Sequence, residues 1–229
     1  MSDMRLGDYI INSDHHPKMP LLKRPFDIIL SASGMLIASG LSALIWIAII
    51  LEDGFPVFIR QERIGKNGRL FKSLKFRSMF KGTMHKEKIK IQAVENDPRI
   101  TRVGRILRKC AFDEMPQLIN IFLGQMSFVG PRALLPVEIE VNGHKPERIC
   151  DVPGYEQRVK VLPGLTGLAQ VYAARDLCRR NKFKYDLLYI RHPGFLRDLG
   201  LIATSFLITF HGTWEKRSAK MRFLERSRK

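Results

Sequence analysis

The sequence predicts a mixed α/β, mainly helical protein: an N-terminal membrane helix hairpin, then one compact lobe with amphipathic helices at the membrane interface. Three observations carry this. Ile28–Leu51 is a run of 24 residues without a charge, about 36 Å if wholly helical and long enough to enter a bilayer. Residues 56–79 alternate apolar and basic positions around a Gly-Lys-Asn-Gly turn signal, which reads as a strand pair. Downstream, apolar residues recur at helical spacing in several short segments. The 229 residues suit one core, because single cores stop growing beyond about 250–300 residues.

The formal net charge is +17, from 39 Lys and Arg against 22 Asp and Glu. Such a field attracts nucleic acid, anionic lipid or phosphorylated small molecules. No helix-turn-helix or RNP motif occurs, and aromatics are not interleaved with the basic runs, so a nucleic-acid partner is not expected. Cys110, Cys150 and Cys178 are odd in number and lack metal-ligand spacing. They argue against a disulfide framework or structural zinc and fit a reducing cytosolic face.

Residues 1–20 read as a polar tail. The apolar segment follows, flanked by Lys18, Lys23 and Arg24 on one side and by Arg60, Arg63, Lys66, Arg69, Lys72 and Lys75 on the other. With basic residues at both ends the positive-inside rule selects neither, and both read as cytosolic. Ser31, Ser33, Gly34, Ser39, Gly40 and Ser42 permit a bend in which hydroxyls satisfy freed backbone groups. The segment is therefore compatible with a hairpin dipping into one leaflet, with a straight spanning helix and a buried core helix as the alternatives.

After the strand pair, residues 81–97 read as a loop or surface helix. In "NDPRITRVGRILRKCA", Asp97 is placed to cap a helix with Pro98 at its first position and Ile100, Val103, Leu107 and Cys110 as its apolar stripe. Arg99, Arg102, Arg105 and Arg108 recur every three residues, but that row drifts by about 60° per step around a helix. Arg108, nearest the following carboxylates, is the one to single out. Met115, Leu118, Ile119 and Phe122 then mark an amphipathic helix. Pro116 must lie in its first turn, which puts Asp113 or Glu114 at the N-cap. A carboxylate held ionised there, in a basic setting, suits a nucleophile or a metal ligand; it also suits an ordinary cap.

Two Gly/Pro-rich loops, "SFVGPRALLP" and "VLPGLTGLAQ", are of the kind that cradles an anion or merely punctuates turns, with Arg132 or Arg158 as the adjacent charge. A helix bearing Asp186, a turn at His192-Pro193-Gly194 and an apolar helix from about Phe195 to Phe210 complete the lobe. That last helix suits a membrane surface or core packing equally.

The blocks "KRPFD", "KFRSM", "DPRITRVGRILRK", "FDEMPQLINIFLGQMSFVGPR", "LPGLTGLAQV" and "YDLLYI" occur in this order between residues 21 and 210. Together they closely resemble the bacterial sugar transferases, the small monotopic phosphoglycosyl transferases. The resemblance implies transfer of a phosphosugar from a UDP-sugar to undecaprenyl phosphate, with release of UMP, at the cytosolic face of the bacterial inner membrane. It implies Asp113 as nucleophile and Mg²⁺ ligand beside Glu114, and Arg108, Arg132 and Asp186 around the substrate phosphates. On this reading 21–51 is the re-entrant segment, 52–212 the catalytic domain and 213–229 a basic tail; a homodimer is left open. The family's Ser-Pro helix break is matched by Ser39-Gly40, with no proline between Asp27 and Gly54. Ala133 stands where the family commonly has proline.

Overall fold

The structure is a computed structural model that describes residues 17–81, 97–137, 139–140, 147–174 and 177–210. Most of the 81–97 segment and the basic tail lie outside the described residues. Eight α-helices and three small two-stranded sheets are present among them. The described residues form two compact units, each assembled from separated stretches: those within Leu30–Gln61, Ser73–Asn120 and 206–210 in one, and those within 17–29, Glu62–Lys72 and Ile121–Ser205 in the other.

The apolar run is two helices, α1 (Lys23–Ile37) and α2 (Ser39–Asp53), bent by 58° at Ala38. Among the described residues no single helix is long and apolar enough to cross a membrane; the bent pair taken together has the length and composition of a broken span or a re-entrant loop. The bend adjoins Ser39-Gly40. Ser39 Oγ donates to the Leu36 carbonyl at 2.7 Å, which satisfies a group that the break frees from the helical ladder.

In α2, Ile45 and Ile49 lie in a core with Val57, Phe76 and Leu107, against which Ile50, Val103, Phe112 and Met115 pack. Leu44, Ile47 and Leu51 form a second stripe, spaced three and four residues apart, and are exposed. A helix apolar on both faces has only one of them covered by protein, and the other is left exposed.

Strands β1 (Phe58–Ile64) and β2 (Leu70–Phe76) pair around the Gly-Lys-Asn-Gly turn. Asn67 and Gly68 there take positive φ angles of 56° and 75°, as a tight reversal between strands requires.

The second unit has its own core of Ile64, Leu134, Ile149, Val152 and Phe183. The two Gly/Pro loops meet in it as parallel strands, β3 (Ser127–Val129) and β6 (Gly164–Thr166). Between them in sequence lie the short antiparallel pair β4 (Ile139–Glu140) and β5 (Glu147–Arg148). A Cβ on Gly164 would sit 2.1 Å from the Gly130 nitrogen, so the glycine is there because two backbones touch. The amides of Gly130 and Gly164 donate to the carbonyls of Thr166 and Pro131 at 2.9 Å each. These amides close the loops on each other, and the glycines here serve backbone approach.

Further helices are α3 (Arg102–Lys109), α4 (Gln117–Phe122), α5 (Tyr155–Val159), α6 (Leu168–Tyr172), α7 (Arg179–Arg191) and α8 (Phe195–Phe210). Helix α8 buries Leu201 and Ile208 while Leu196 and Phe206 stay exposed, so it has both a packed face and an open apolar one. The start of α1 is fastened by charge. Lys23 Nζ donates to Asp198 Oδ2 at 2.5 Å and to the Tyr189 hydroxyl at 3.1 Å, and Tyr189 donates to Asp198 Oδ1 at 2.8 Å. Burial and the Asp198 carboxylate push the Tyr189 hydroxyl far above its ordinary range, which keeps it a donor. Arg24 donates to the carbonyls of Ile121 and Phe122, and buried Asp27 accepts from the Phe128 amide.

Candidate active site

The Asp113–Glu114 pair stands on a short 3₁₀ turn, Phe112–Glu114, between α3 and α4. Helix α3 begins at Arg102, with Thr101 as its N-cap; Thr101 Oγ1 accepts from the Gly104 amide at 2.8 Å. This corrects the expected cap at Asp97. The Asp97 carboxylate is instead taken by Arg99, whose Nε, Nη2 and backbone amide all donate to it. Those bonds, with Arg108 adding charge, hold the Asp97 carboxyl down to about 2. Gly104 lets α3 approach the chain after β2, since a Cβ there would lie 2.1 Å from the Ser78 carbonyl oxygen.

Arg108 lies in the last turn of α3. Ala111 then takes a left-handed conformation with φ 55°, which turns the chain into the 3₁₀ segment. Phe112 and Met115, on either side of the two carboxylates, pack on the core formed with α2. The acids are therefore presented from a turn whose greasy neighbours are held.

The expected N-cap role also needs correction. Helix α4 starts at Gln117, directly after Pro116, and the two acids belong to the separate turn before it. Successive i→i+3 bonds, Glu114 amide to Ala111 carbonyl, Met115 to Phe112 and Ile119 to Pro116, keep 111–119 in tight turns. Proline there needs no amide partner.

Strand β2 supplies what sequence reading missed. Lys75 ion-pairs with Glu114 Oε1, the Leu74 amide donates to Asn120 Oδ1 at 3.0 Å, and Phe76 enters the core. One signal was present in the alternation. Lys75 is in phase with Phe71 and Ser73, both buried, and a lysine at an inward strand position calls for an acidic partner.

Arg132 and Asp186 belong to the other unit, where Arg158 connects them. Its Nε donates to Asp186 Oδ2 at 2.8 Å and its Nη2 donates to the Arg132 carbonyl. The guanidinium also lies over the Phe183 ring, 4.9 Å from the centroid. The Arg132 side chain is exposed, whereas Arg158 and Asp186 are buried. Burial pushes the Asp186 carboxyl up and the Arg158 charge opposes it. Arg108, Asp113 and Glu114 thus share one unit, and Arg132, Arg158 and Asp186 form a linked group in the other.

Among the described residues no three His, Cys, Asp or Glu side chains gather as a metal cage. The adjacent carboxylates of Asp113 and Glu114 still suit Mg²⁺, which keeps several waters and binds through one or two carboxylates together with substrate phosphates.

Residues 18–212 match the family model described as "Bacterial sugar transferase". The chain is 38% identical over 197 residues to the UDP-glucose:undecaprenyl-phosphate glucose-1-phosphate transferase of Escherichia coli (strain K12), a match covering 84% of this chain and 40% of the relative. It is 36% identical over 194 residues to the undecaprenyl-phosphate galactose phosphotransferase of Salmonella typhimurium, covering 79% of this chain and 39% of the relative. It is also 38% identical over 187 residues to the exopolysaccharide production protein PSS of Rhizobium leguminosarum bv. phaseoli, covering 80% and 92% respectively. The chain thus spans about two fifths of the length of the first two relatives and most of the third.

Proposed function

The chain belongs to the bacterial sugar transferase family, and from that membership we propose that it is a phosphoglycosyl transferase moving a phosphosugar from a UDP-sugar to undecaprenyl phosphate. The carrying observation is the Asp113–Glu114 pair on a turn whose flanking Phe112 and Met115 pack on the core shared with the apolar hairpin. A nucleophile in that position serves an acceptor whose phosphate sits at headgroup level while its isoprenoid tail remains in lipid.

The proposed chemistry has two displacements at one phosphorus. An Asp113 carboxylate oxygen bonds to the sugar-bearing phosphorus, and the bond to the bridging oxygen breaks, so that UMP leaves with the electron pair. An oxygen of undecaprenyl phosphate then bonds to the same phosphorus, the acyl–phosphate bond breaks, and Asp113 returns as carboxylate. Both substrates and the nucleophile are anions, so the site must neutralise charge as it develops. Arg108 is the proposed cation on this turn's side. Arg132, whose backbone carbonyl Arg158 holds, is a second proposed phosphate-binding cation. Asp186 serves by fixing Arg158. Asp113, beside Glu114, would hold Mg²⁺, which when bound supplies charge neutralisation at the phosphates. Lys75 fixes the Glu114 carboxylate.

The bent pair α1–α2, with Ile29, Leu36, Ile37, Leu44, Ile47 and Leu51 exposed, supports a re-entrant hairpin in the inner membrane with both ends cytosolic. The test is a panel of UDP-sugars with undecaprenyl phosphate and Mg²⁺, scored for UMP. One donor should give UMP and a polyprenyl-diphosphate sugar. No UMP from any donor, with the protein folded in lipid, overturns the assignment.

A further inference from the structure

The last turn of α2 reaches the two elements that carry the Asp113–Glu114 turn and its lysine. Glu52 Oε1 accepts from the Arg102 amide at 2.6 Å, and Glu52 Oε2 accepts from the Val103 amide at 2.9 Å. With Thr101 Oγ1 on the Gly104 amide, the first three amides of α3 are all satisfied. Such amides have no partner within their own helix. The cap thus comes in part from 50 residues upstream, out of the end of the apolar hairpin. A carboxylate there also meets the positive end of the helix dipole.

On the same turn, Gly54 and Asp53 engage the residue that follows β2. Arg77 Nη2 donates to the Gly54 carbonyl at 2.5 Å and lies 3.4 Å from Asp53 Oδ2, with the Arg77 side chain 1% exposed. Two residues before Arg77 is Lys75, the partner of Glu114. The end of the hairpin therefore holds the start of α3, which leads to Asp113, and the strand end that grips Glu114. Helix α3 has eight residues, too few to be stable without such support.

We infer that Glu52 is a positioning residue: it sets the register of α3, and through it of Arg108 and the Asp113 turn, from the position of the hairpin. The catalytic part of this inference rests on the proposed transferase reaction; the geometric part does not. It links the hairpin to chemistry as well as to anchoring, because a displaced α2 would withdraw the cap from α3.

The test compares wild type, Glu52→Gln, Glu52→Ala and Glu52→Asp in lipid nanodiscs, with Leu51→Ala, on the exposed stripe, as control. Hydrogen exchange of the peptide holding the Arg102 and Val103 amides should quicken about tenfold in Glu52→Ala. Glu52→Gln should be intermediate, Glu52→Asp partly restored and Leu51→Ala like wild type. With the active donor, kcat of Glu52→Ala should fall about tenfold while KM for the UDP-sugar changes less than about threefold, as expected for a residue acting through another. Unchanged exchange, or quickened exchange with unchanged kcat, overturns the inference. An inactive wild type would count against the transferase reading alone. Exchange at 102–103 and 112–115 would then decide the positioning role of Glu52, and failure of 112–115 to quicken with 102–103 would overturn it.

Discussion

Lys75 on β2 and Glu114 on the 3₁₀ turn form an ion pair across 39 residues of sequence, with the two side chains only 14% and 19% exposed. A pair so shielded is stronger than a surface one and holds Glu114 in a single orientation. Lys75→Met should therefore lower kcat about ten- to hundredfold, matching a charged hydrogen bond of about 1.5–3 kcal/mol. Steady-state UMP release measures this. In a double-mutant cycle with Glu114→Gln the two losses should not add, and full additivity would deny the coupling.

Asp113→Asn is expected to abolish turnover in a protein that stays folded, since the amide keeps the shape but is a very poor nucleophile. Wild type given the correct UDP-sugar alone should gain the mass of one phosphosugar on the peptide holding Asp113. Turnover by an Asn variant shown by mass to be free of deamidation would remove the residue from the reaction.

The Arg158–Asp186 pair predicts an asymmetry in stability. Arg158→Ala leaves a buried carboxylate without its partner and should destabilise by about 3–5 kcal/mol. Replacing both, as Arg158→Met with Asp186→Leu, should be much less damaging, because no buried charge is then left behind. Chemical denaturation in detergent separates these cases; equal losses for single and double variants would contradict the account.

Asp97 gives a pH signature. Its folded-state carboxyl is held down to about 2 by Arg99, below the ordinary value of about 3.9. A depressed acid contributes stability that is present above the unfolded value and is lost as pH falls through the folded one. The Tm difference between wild type and Asp97→Asn should therefore be flat from about pH 9 to 5 and should shrink only below about pH 4. A difference that already closes near neutrality would locate the titration elsewhere.

For the hairpin, a variant with Cys110, Cys150 and Cys178 replaced, carrying Ser2→Cys or Asn67→Cys, should resist a membrane-impermeant thiol reagent in intact spheroplasts. Both sites should react after lysis. Labelling at position 2 before lysis would establish a spanning segment and leave the Asp113 chemistry unaffected.

What the sequence disclosed, and what it did not, divides along the reach of the interactions. The Asn67-Gly68 reversal, the Asp186 helix and the break after His192 follow from local preference, and the structure has them at those residues. Sequence alone does not separate the Asp97 cap from the Thr101 cap, because the two acceptors lie within four residues of each other. The choice was made by Arg99 occupying the first of them. Likewise the loop glycines advertise close approach without saying to what, and only the pairing of Gly130 with Gly164 supplies the neighbour. Glu52 was invisible for the same reason. Its partners are backbone amides 50 residues away, and amides leave no mark in a sequence.

The fastening at the start of α1 has a consequence in time. Lys23 finds Tyr189 and Asp198 only 166 and 175 residues later in the chain. At a synthesis rate of about 5–20 residues per second, roughly ten to thirty seconds separate its appearance from theirs. During that interval the ammonium group has neither of these partners and stays a solvated charge at the start of α1. Once the Asp198 region has been made, the same charge is withdrawn into the protein. One lysine thus passes through two settings, first as a hydrated charge and afterwards as the partner of a buried carboxylate.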